Sequence, residues 1–358
     1  MTVIEDLLAG PRGRRFCWEV VLATVAEPPD DDTLFWADHW ITVRQGGGVS
    51  FYGPGSAQPR PEPDVRQITV AHEALVHAAD PASATLDQAL AALRLAADSA
   101  RWWQEPDAVD VRLGSVVPRT LLVRVATAVA GSPGVQALLA PSGAAKQWVV
   151  APDSPWEQGP ERPASELLAE WRRELVAERA HGTEDPVDAP ISGTWWTSPP
   201  GGLVETTTER GGRGPFGLWA VEDHTGWERA DVSPAAVDPT ARVLTIDDAE
   251  DWAALCRRFP LDVTATTRRH DWYRATGRVG AWVVPDWTAV AEQVDAVRLT
   301  LLGWLRASGT AVPVDDRTAS VIAGWTPDTT AWLHDPRPSL GPSSTWVWSD
   351  DRAGWFSA

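Results

Sequence analysis

Three short stretches of the sequence group side chains that enzymes use to position a substrate and to stabilise charge. In the first, two indoles precede two hydroxyls, and a threonine row flanked by acids follows; its candidates are Trp195, Trp196, Thr197, Ser198, Glu205 and Thr207. The second, RRHDWYR, combines imidazole, carboxylate, phenol and guanidinium groups in His270, Asp271, Tyr273 and Arg274. The third places Asp328 directly before a threonine-rich apolar run. A carboxylate there either caps a turn or points into a cleft.

Each stretch also has an ordinary structural interpretation, and both interpretations stay open at this point. A sheet with one solvated face produces alternating threonine and glutamate along a strand, as in 205–209. A solvated loop between two helices accounts for 268–278, with Trp272 filling the core. The residue types therefore make these side chains candidates, but they do not distinguish a catalytic role from a structural one.

Several familiar motifs are absent or lack the right spacing. HEALVH holds His72 and His77 five positions apart, whereas a metal-binding helix needs its histidines four apart, so we expect no metal site. The GRGPFG segment at 212–217 precedes a strand-like run instead of the helix that a dinucleotide fingerprint requires. Neither a phosphate-binding GxxxxGK motif nor a GxSxG nucleophile elbow occurs. These patterns exclude kinase, P-loop and α/β-hydrolase functions.

The elements around the second stretch come from segment 241–304, for which the pattern predicts a strand, a helix, a loop, a second helix and a strand. Asp248 can accept hydrogen bonds from the first-turn amides of the first helix, and Pro260 ends that helix. Asp286 begins the second helix in the same way, and a buried strand around Val297 follows.

Elsewhere, hydrophobic periodicity predicts helices over 14–27, 81–103, 118–130 and 164–180. Strands are predicted at 33–44, 67–77, 193–198, 203–209, 216–223, 319–325 and 330–333. The tail after Pro336 is predicted to be irregular, anchored by its tryptophans.

Together these elements predict an α+β fold, in which a mostly helical N-terminal domain precedes a mixed, largely antiparallel β domain with two or three helices. The expected divisions are a helix-rich domain, a linker with an amphipathic helix, an α+β domain and a tryptophan-containing tail, at 1–152, 153–189, 190–335 and 336–358.

The amino-acid composition limits which binding partners and which cellular compartment we expect. The 358 residues carry a formal net charge of −18, which argues against binding to the phosphate backbone of nucleic acids. Cys17 and Cys256 show no CxxC spacing, so neither a zinc site nor a disulfide scaffold is predicted, and a reducing cytoplasm fits best. No apolar run approaches the length of a membrane span, and no signal peptide is visible. We therefore expect a soluble cytoplasmic protein without membrane contact.

The order of the motifs resembles the ADP-ribosyltransferase-like fold over about 191–333. In that family, a strand with a hydrophobic-Ser/Thr-x-Ser motif supports the nicotinamide ribose, and a late strand delivers an acid, usually glutamate. WWTS at 195–198 looks like the first feature, and Asp328 beside TTAWL looks like the second, with aspartate in place of glutamate. The layout of the whole chain looks like that of proteins from high-GC bacteria.

The resemblance implies that NAD is a substrate. Trp195 or Trp196 would stack on the nicotinamide ring, Thr197 and Ser198 would bind the ribose, and Asp328 would stabilise positive charge at the anomeric carbon.

The alternative is a non-catalytic recognition or regulatory protein. Its 22 tryptophans and its acidity suit binding to a cationic or protein partner. The two hypotheses differ in whether 195–198, 205–209 and 328–333 converge on one cleft.

Overall fold

The structure is a computed structural model, and it describes residues 3–47, 61–140, 146–153, 162–182, 184–223, 227–335 and 338–358. These residues form an α+β fold, as the sequence predicts. Eight helices precede the first strand: α1 Val3–Ala9, α2 Pro11–Ala23, α3 Thr33–Arg44, α4 Val65–Ala78, α5 Leu86–Asp98, α6 Ala108–Ser115, α7 Arg119–Gly131 and α8 Pro133–Leu139. Five more follow: α9 Ala164–His181, α10 Ala249–Arg258, α11 Arg268–Thr276, α12 Trp287–Ala291 and α13 Leu301–Ala307.

The strands of the larger sheet are β1 Gln147–Pro152, β2 Glu205–Thr207, β3 Arg229–Ala236, β4 Val243–Ile246, β7 Ala296–Leu299, β10 Thr329–Trp332, β11 Ser339–Leu340, β12 Ser344–Ser349 and β13 Gly354–Ser357. Its strand order is β13-β12-β3-β1-β2-β10-β7-β4, and β11 also pairs with β3. The smaller sheet has the order β5-β6-β9-β8, with β5 Pro260–Asp262, β6 Ala281–Pro285, β8 Val312–Pro313 and β9 Thr318–Ser320.

Two segments predicted as strands are helices. Segment 33–44 is α3, whose buried residues Ala37 and Ile41 are four apart, a helical spacing that its many aromatic and β-branched residues obscure. Segment 67–77 lies within α4, where Asp64 and Gln67 form a reciprocal capping box that the prediction overlooked.

Other local predictions are corrected in the second half. Segments 193–198 and 216–223 are not strands; the first has no regular secondary structure, and the second begins with a short 3-10 helix, Phe216–Leu218. The tail is not irregular, since β12 and β13 form a hairpin that joins β3. Residues 154–161 of the predicted linker and 336–337 of the tail lie outside the described residues.

Buried side chains from both halves of the chain form one continuous hydrophobic cluster. Trp252, Trp287 and Trp325 pack against one another in it with ring centroids 5.8 to 6.4 Å apart, and all three are at most 1% exposed. Large rigid indoles fill the volume between the two sheets and the helices.

No single helix in the described ranges is long and apolar enough to cross a membrane; α6 and α7 meet the length and composition criteria only as a pair, bent by 108°.

Candidate functional site

The larger sheet splits between β1 and β2, and we call the resulting cleft the sheet fork. β1 pairs with β3 along six residues, from Gln147 opposite Ala235 to Pro152 opposite Ala230. β2 pairs instead with β10, along three residues. Among the described residues, β1 and β2 meet only where Trp148 lies opposite Thr207. Beyond that pair the two strands form no further ladder pairs, although β2 remains the neighbour of β1 in the sheet.

Beyond Trp148, this edge of β1 has no ladder pairing with a strand of the described residues. In an antiparallel ladder, successive residues direct their N–H and C=O groups alternately to the two sides. The N–H of Asp153 donates to the carbonyl of Arg229 at 2.9 Å, which directs the odd-numbered residues of β1 towards β3. The peptide groups of Val150 and Pro152 therefore face the fork, and no described strand is paired with them on that side.

The sheet fork encloses a cavity of about 710 Å³. Its wall combines the edges of both strands, hydroxyls and apolar side chains; the lining residues are Val149, Val150, Ala151, Pro152, Gly201, Gly202, Leu203, Val204, Glu205, Thr206, Thr207, Gly217, Val221, Trp227, Thr326, Thr329 and Leu340. Glu205 is the sole ionisable side chain in this described lining. A cavity of this size is typical of ligand sites in proteins.

Two glycines keep the cavity open. A Cβ on Gly217 would lie 3.3 Å from the γ-methyl of Thr207 and 3.6 Å from a γ-methyl of Val150, so any larger side chain would extend into the fork. The Gly217 N–H also donates to the Thr207 hydroxyl at 3.1 Å, which fixes both on the wall. Gly202 adopts φ +86°, a left-handed conformation that lets the chain turn into β2.

A buried ionic cluster lies behind β2 and β10. Asp328, which is fully buried, accepts hydrogen bonds from Arg298 at 2.6 Å, from Arg210 at 3.1 Å and from the Thr208 hydroxyl. Burial lowers the pKa of Arg210, and Asp328 opposes that change. Asp328 has φ +59°, a strained conformation for a residue with a side chain. The cluster joins the ends of β2, β7 and β10 and so fixes one arm of the fork.

The structure brings together some of the residues predicted from the sequence. Glu205 and Thr207 line the fork, and Thr207 lies opposite Thr329, the residue that follows Asp328. The side chain of Asp328 points instead towards its two arginines and is not part of the cavity lining.

The WWTS segment lies elsewhere in the described structure. Thr197 pairs with Ala323, donating its N–H to the Ala323 carbonyl at 2.8 Å and accepting the Ala323 N–H at 3.0 Å through its hydroxyl. Trp195 and Trp196 are in edge-to-face contact at 5.8 Å, and Trp196 is 40% exposed. Neither these three residues nor Ser198 line the cavity. Their predicted roles towards a dinucleotide stay a prediction.

The RRHDWYR stretch, predicted as a loop, is helix α11, and it binds the backbone of segment 185–196. The Trp272 indole donates to the Trp195 carbonyl at 2.8 Å, and His270 bonds the Val187 carbonyl through Nδ1 at 3.1 Å. Arg274 donates to the carbonyls of Ala189 and Ile191 at 3.2 and 2.8 Å.

Asp271 completes this contact. It accepts the Gly193 N–H at 3.3 Å and a hydrogen bond from Arg274; burial raises its pKa although both bonds oppose the change. Tyr273 is half-buried on the same helix. Polar side chains that would suit catalysis here bind backbone carbonyls and amides.

Sequence reasoning missed the residues that shape the fork. Val150 and Gly217 carry no functional group, and their importance depends on which strands pair. A signal was available in Pro199, Pro200, Gly201 and Gly202, since two prolines followed by two glycines predict a turn before a strand. Arg210 and Arg298 lie 118 and 30 residues from Asp328 in sequence, so no local pattern connects the three.

Within the described ranges, no group of three or more His, Cys, Asp or Glu side chains is placed to hold a metal ion. No family model, curated protein or solved structure matches this chain, so its function has to be argued from the geometry of the site.

Proposed function

We propose that this chain is a recognition protein that captures an extended polypeptide segment in the sheet fork, by adding it to the free edge of β1. The observation that carries the proposal is the Val150 peptide group, which lines a cavity of about 710 Å³ and forms no ladder pair with a described strand on that side. Exposed strand edges are a recurrent way of binding peptides in extended conformation.

The edge of β1 offers hydrogen-bonding groups at the spacing of another backbone. Val150 contributes an N–H and a C=O, and Pro152 contributes a C=O alone because proline has no N–H. A guest strand would form up to about three main-chain hydrogen bonds there, and its side chains would alternate between the two faces of the sheet. Affinity would come from the backbone, and selectivity from the lining around Gly217 and Trp227.

The charge of the protein favours a cationic guest. The chain carries −18, and the charged residue lining the described fork is the exposed Glu205. Attraction between such a surface and a basic segment raises the association rate and discriminates against acidic partners.

A binding measurement tests the proposal. The probe is a decapeptide of alternating valine and lysine, titrated by calorimetry; a version with N-methyl groups along its backbone and a version with glutamate in place of lysine are the controls. We expect saturable binding of the first peptide alone. Absence of binding at millimolar peptide, or equal binding of the methylated version, would overturn the proposal.

Gly217→Val places a side chain in the fork and should weaken binding at least about tenfold. Gly131→Val is the matched control, since a Cβ on that exposed helix-end glycine meets nothing within 4 Å. Equal affinities of the two variants would place the peptide outside the fork.

Handling of a nicotinamide dinucleotide is the second candidate, and one observation favours it. Pairing of β2 with β10 places Glu205 and Thr207 on the cavity wall and Asp328 directly behind it. Titration with NAD to millimolar concentration tests this: tryptophan quenching that is reduced by Trp227→Ala, a residue of the cavity lining, would support it. Absence of any NAD binding would contradict this second candidate function.

We also propose a cytoplasmic location, supported by two buried free cysteines, Cys17 and Cys256. The division into a helix-rich domain at 1–152 and an α+β domain at 190–335 stays a proposal. Limited proteolysis in the linker between them tests it: two separately folded halves would support the division, and pieces that stay associated or are degraded to small peptides would contradict it.

A further inference from the structure

We propose that a surface on helix α3 binds an arginine-rich segment of a partner protein. We call this surface the aromatic ladder, and it consists of Phe35, Trp36, His39 and Trp40. The inference is independent of the sheet fork. It follows from the exposure of these rings, from their contacts with one another and from the carboxylates at the start of the helix.

Helix α3 buries few of its side chains. Of its twelve residues only Ala37 and Ile41 are buried, on the side where the helix packs against α4 and α6. Phe35 and His39 are each two positions from Ala37, which places both about 160° around the helix from it. Phe35 is 55% exposed, so a partner that covers it removes apolar ring surface from water.

The four rings form one continuous row along the helix. Successive ring centroids from Phe35 to Trp40 lie 5.4, 5.4 and 5.5 Å apart, with interplanar angles between 75° and 86°. These edge-to-face contacts orient the side chains before any partner arrives, so binding would cost little conformational entropy. Grouped rigid aromatic side chains on a protein surface are typical of interaction sites.

The start of α3 carries carboxylates that favour a cation. The Asp32 carboxylate accepts a hydrogen bond from the Trp36 indole N–H at 3.0 Å, which places a negative charge at the edge of the row. Asp30 is exposed and has no hydrogen-bond or ionic partner among the described residues. Its Cα lies within about 7 Å of that of Asp32, the reach of two residues. The arginine of α3, Arg44, is already paired with Glu62.

An arginine-rich segment suits this surface better than a second copy of the chain. Two copies would bring like charges together, since each carries −18 overall. A guanidinium group stacks on an aromatic ring and pairs with a carboxylate at the same time. The chain itself contains such a contact, in which Arg94 lies over the Trp348 ring at 4.2 Å. In the part of the chain that the structure describes, no guanidinium lies over Phe35 or Trp36 in this way.

The test measures the binding of three dodecapeptides, blocked at both ends, by calorimetry. Each alternates glycine with arginine, lysine or citrulline, and citrulline has the shape of arginine without its charge. Glycine disfavours strand formation, so these peptides do not probe a sheet edge. We expect saturable binding of the arginine peptide, at least about threefold weaker binding of the lysine peptide and none of the citrulline peptide.

Protein variants locate the binding site. Phe35→Leu keeps an apolar side chain but removes the ring, and should weaken binding of the arginine peptide about threefold. Trp36→Leu should weaken it more, because indole is the stronger partner of a cation. Asp30→Asn should also weaken it. The control Asp316→Asn removes an exposed carboxylate in the second half of the chain and should not, and neither should Gly217→Val in the sheet fork.

Several outcomes would overturn the inference. Equal binding of the arginine and lysine peptides, or unchanged affinity in both leucine variants, would show only a general attraction to an acidic protein. Absence of binding at millimolar arginine peptide, or loss of affinity in Gly217→Val, would also overturn it. Self-association that Phe35→Leu abolishes would assign the surface to a second copy instead. Strand capture would still stand after any of these failures, since valine–lysine peptides test it.

Discussion

The carboxylate of Asp328 pairs with the buried guanidinium of Arg210 and the partly buried one of Arg298, while its own backbone is held at φ +59°. Removing its charge would take away the carboxylate that pairs with the buried Arg210, which typically costs about 3–5 kcal/mol. Asp328→Asn should therefore lower the free energy of unfolding by about that amount in a denaturant titration.

The control is Asp87→Asn, which breaks the exposed pair with Arg213 and should cost about 1 kcal/mol or less. Similar losses in the two variants would show that the buried cluster does not support the fork. The sequence identifies Asp328 as a candidate site residue, but only the fold shows that its partners are arginines.

His72 provides a prediction about pH. Burial and the neighbouring Arg112 lower its pKa to about 4, and its ring bonds the Ile68 carbonyl through Nδ1 at 2.8 Å. The unfolded chain binds a proton below about pH 6.5, whereas the folded chain resists protonation until about pH 4. Stability from this residue is therefore intact above pH 6.5 and lost as the pH falls towards 4.

That loss amounts to about 3 kcal/mol at most. His72→Gln, which stays neutral, should flatten the pH dependence of unfolding between pH 6.5 and 4 relative to the unsubstituted protein. Parallel pH profiles for the two proteins would contradict a neutral buried imidazole.

At the scale of elements, helix α11 shows why polar motifs are poor guides to chemistry. Its buried residues include Arg268, His270 and Asp271, so it lacks the apolar stripe by which helices are identified. Those side chains bind the backbone of segment 185–196, and no pattern within the helix predicts that partner. Helices with an apolar stripe, such as α5, α7 and α9, are where the sequence prediction succeeds.

The same helix yields a test. Arg274→Met removes the donors to the carbonyls of Ala189 and Ile191 and the partner of the buried Asp271, so amide exchange in 185–196 should accelerate by more than the loss of global stability alone accounts for. Arg173→Met, at an exposed position on α9, is the matched control. Unchanged exchange in the first variant would show that α11 does not hold the segment.

At the scale of the whole molecule, the buried carboxylate of Glu222 connects the two halves of the chain. It accepts hydrogen bonds from the indoles of Trp102 and Trp304 at 3.1 and 2.6 Å, from Ser308 at 2.9 Å and from the Gly324 N–H at 2.7 Å. Burial raises the pKa of Glu222 although these donors oppose the change.

Glu222→Gln would turn an amide N–H₂ towards some of these donors. It should therefore destabilise the protein by about 2–3 kcal/mol, measured as a shift of the denaturant midpoint. The exposed Glu228→Gln should shift it little. An unchanged midpoint for Glu222→Gln would mean that the carboxylate is not needed where the halves meet.

The architecture explains what the sequence could and could not predict. Helix and strand content follow from periodicity, which is why the α+β class is correct. The position of β1 in the sheet does not follow from periodicity. β1 precedes α9 in the sequence, yet it lies between β3 and β2, which both follow α9. That long-range pairing creates the sheet fork, so the candidate site could not be derived from local patterns.

The most direct test of strand capture is amide hydrogen exchange at Val150, followed by NMR on protein labelled at valine. The Val150 N–H faces the fork, whereas the Val149 N–H is directed towards β3 and serves as an internal reference. Saturating valine–lysine peptide should slow exchange at Val150 at least about tenfold and leave Val149 unchanged. If the protein is saturated with the peptide and exchange at Val150 is not slower, the capture of a strand at this edge is contradicted.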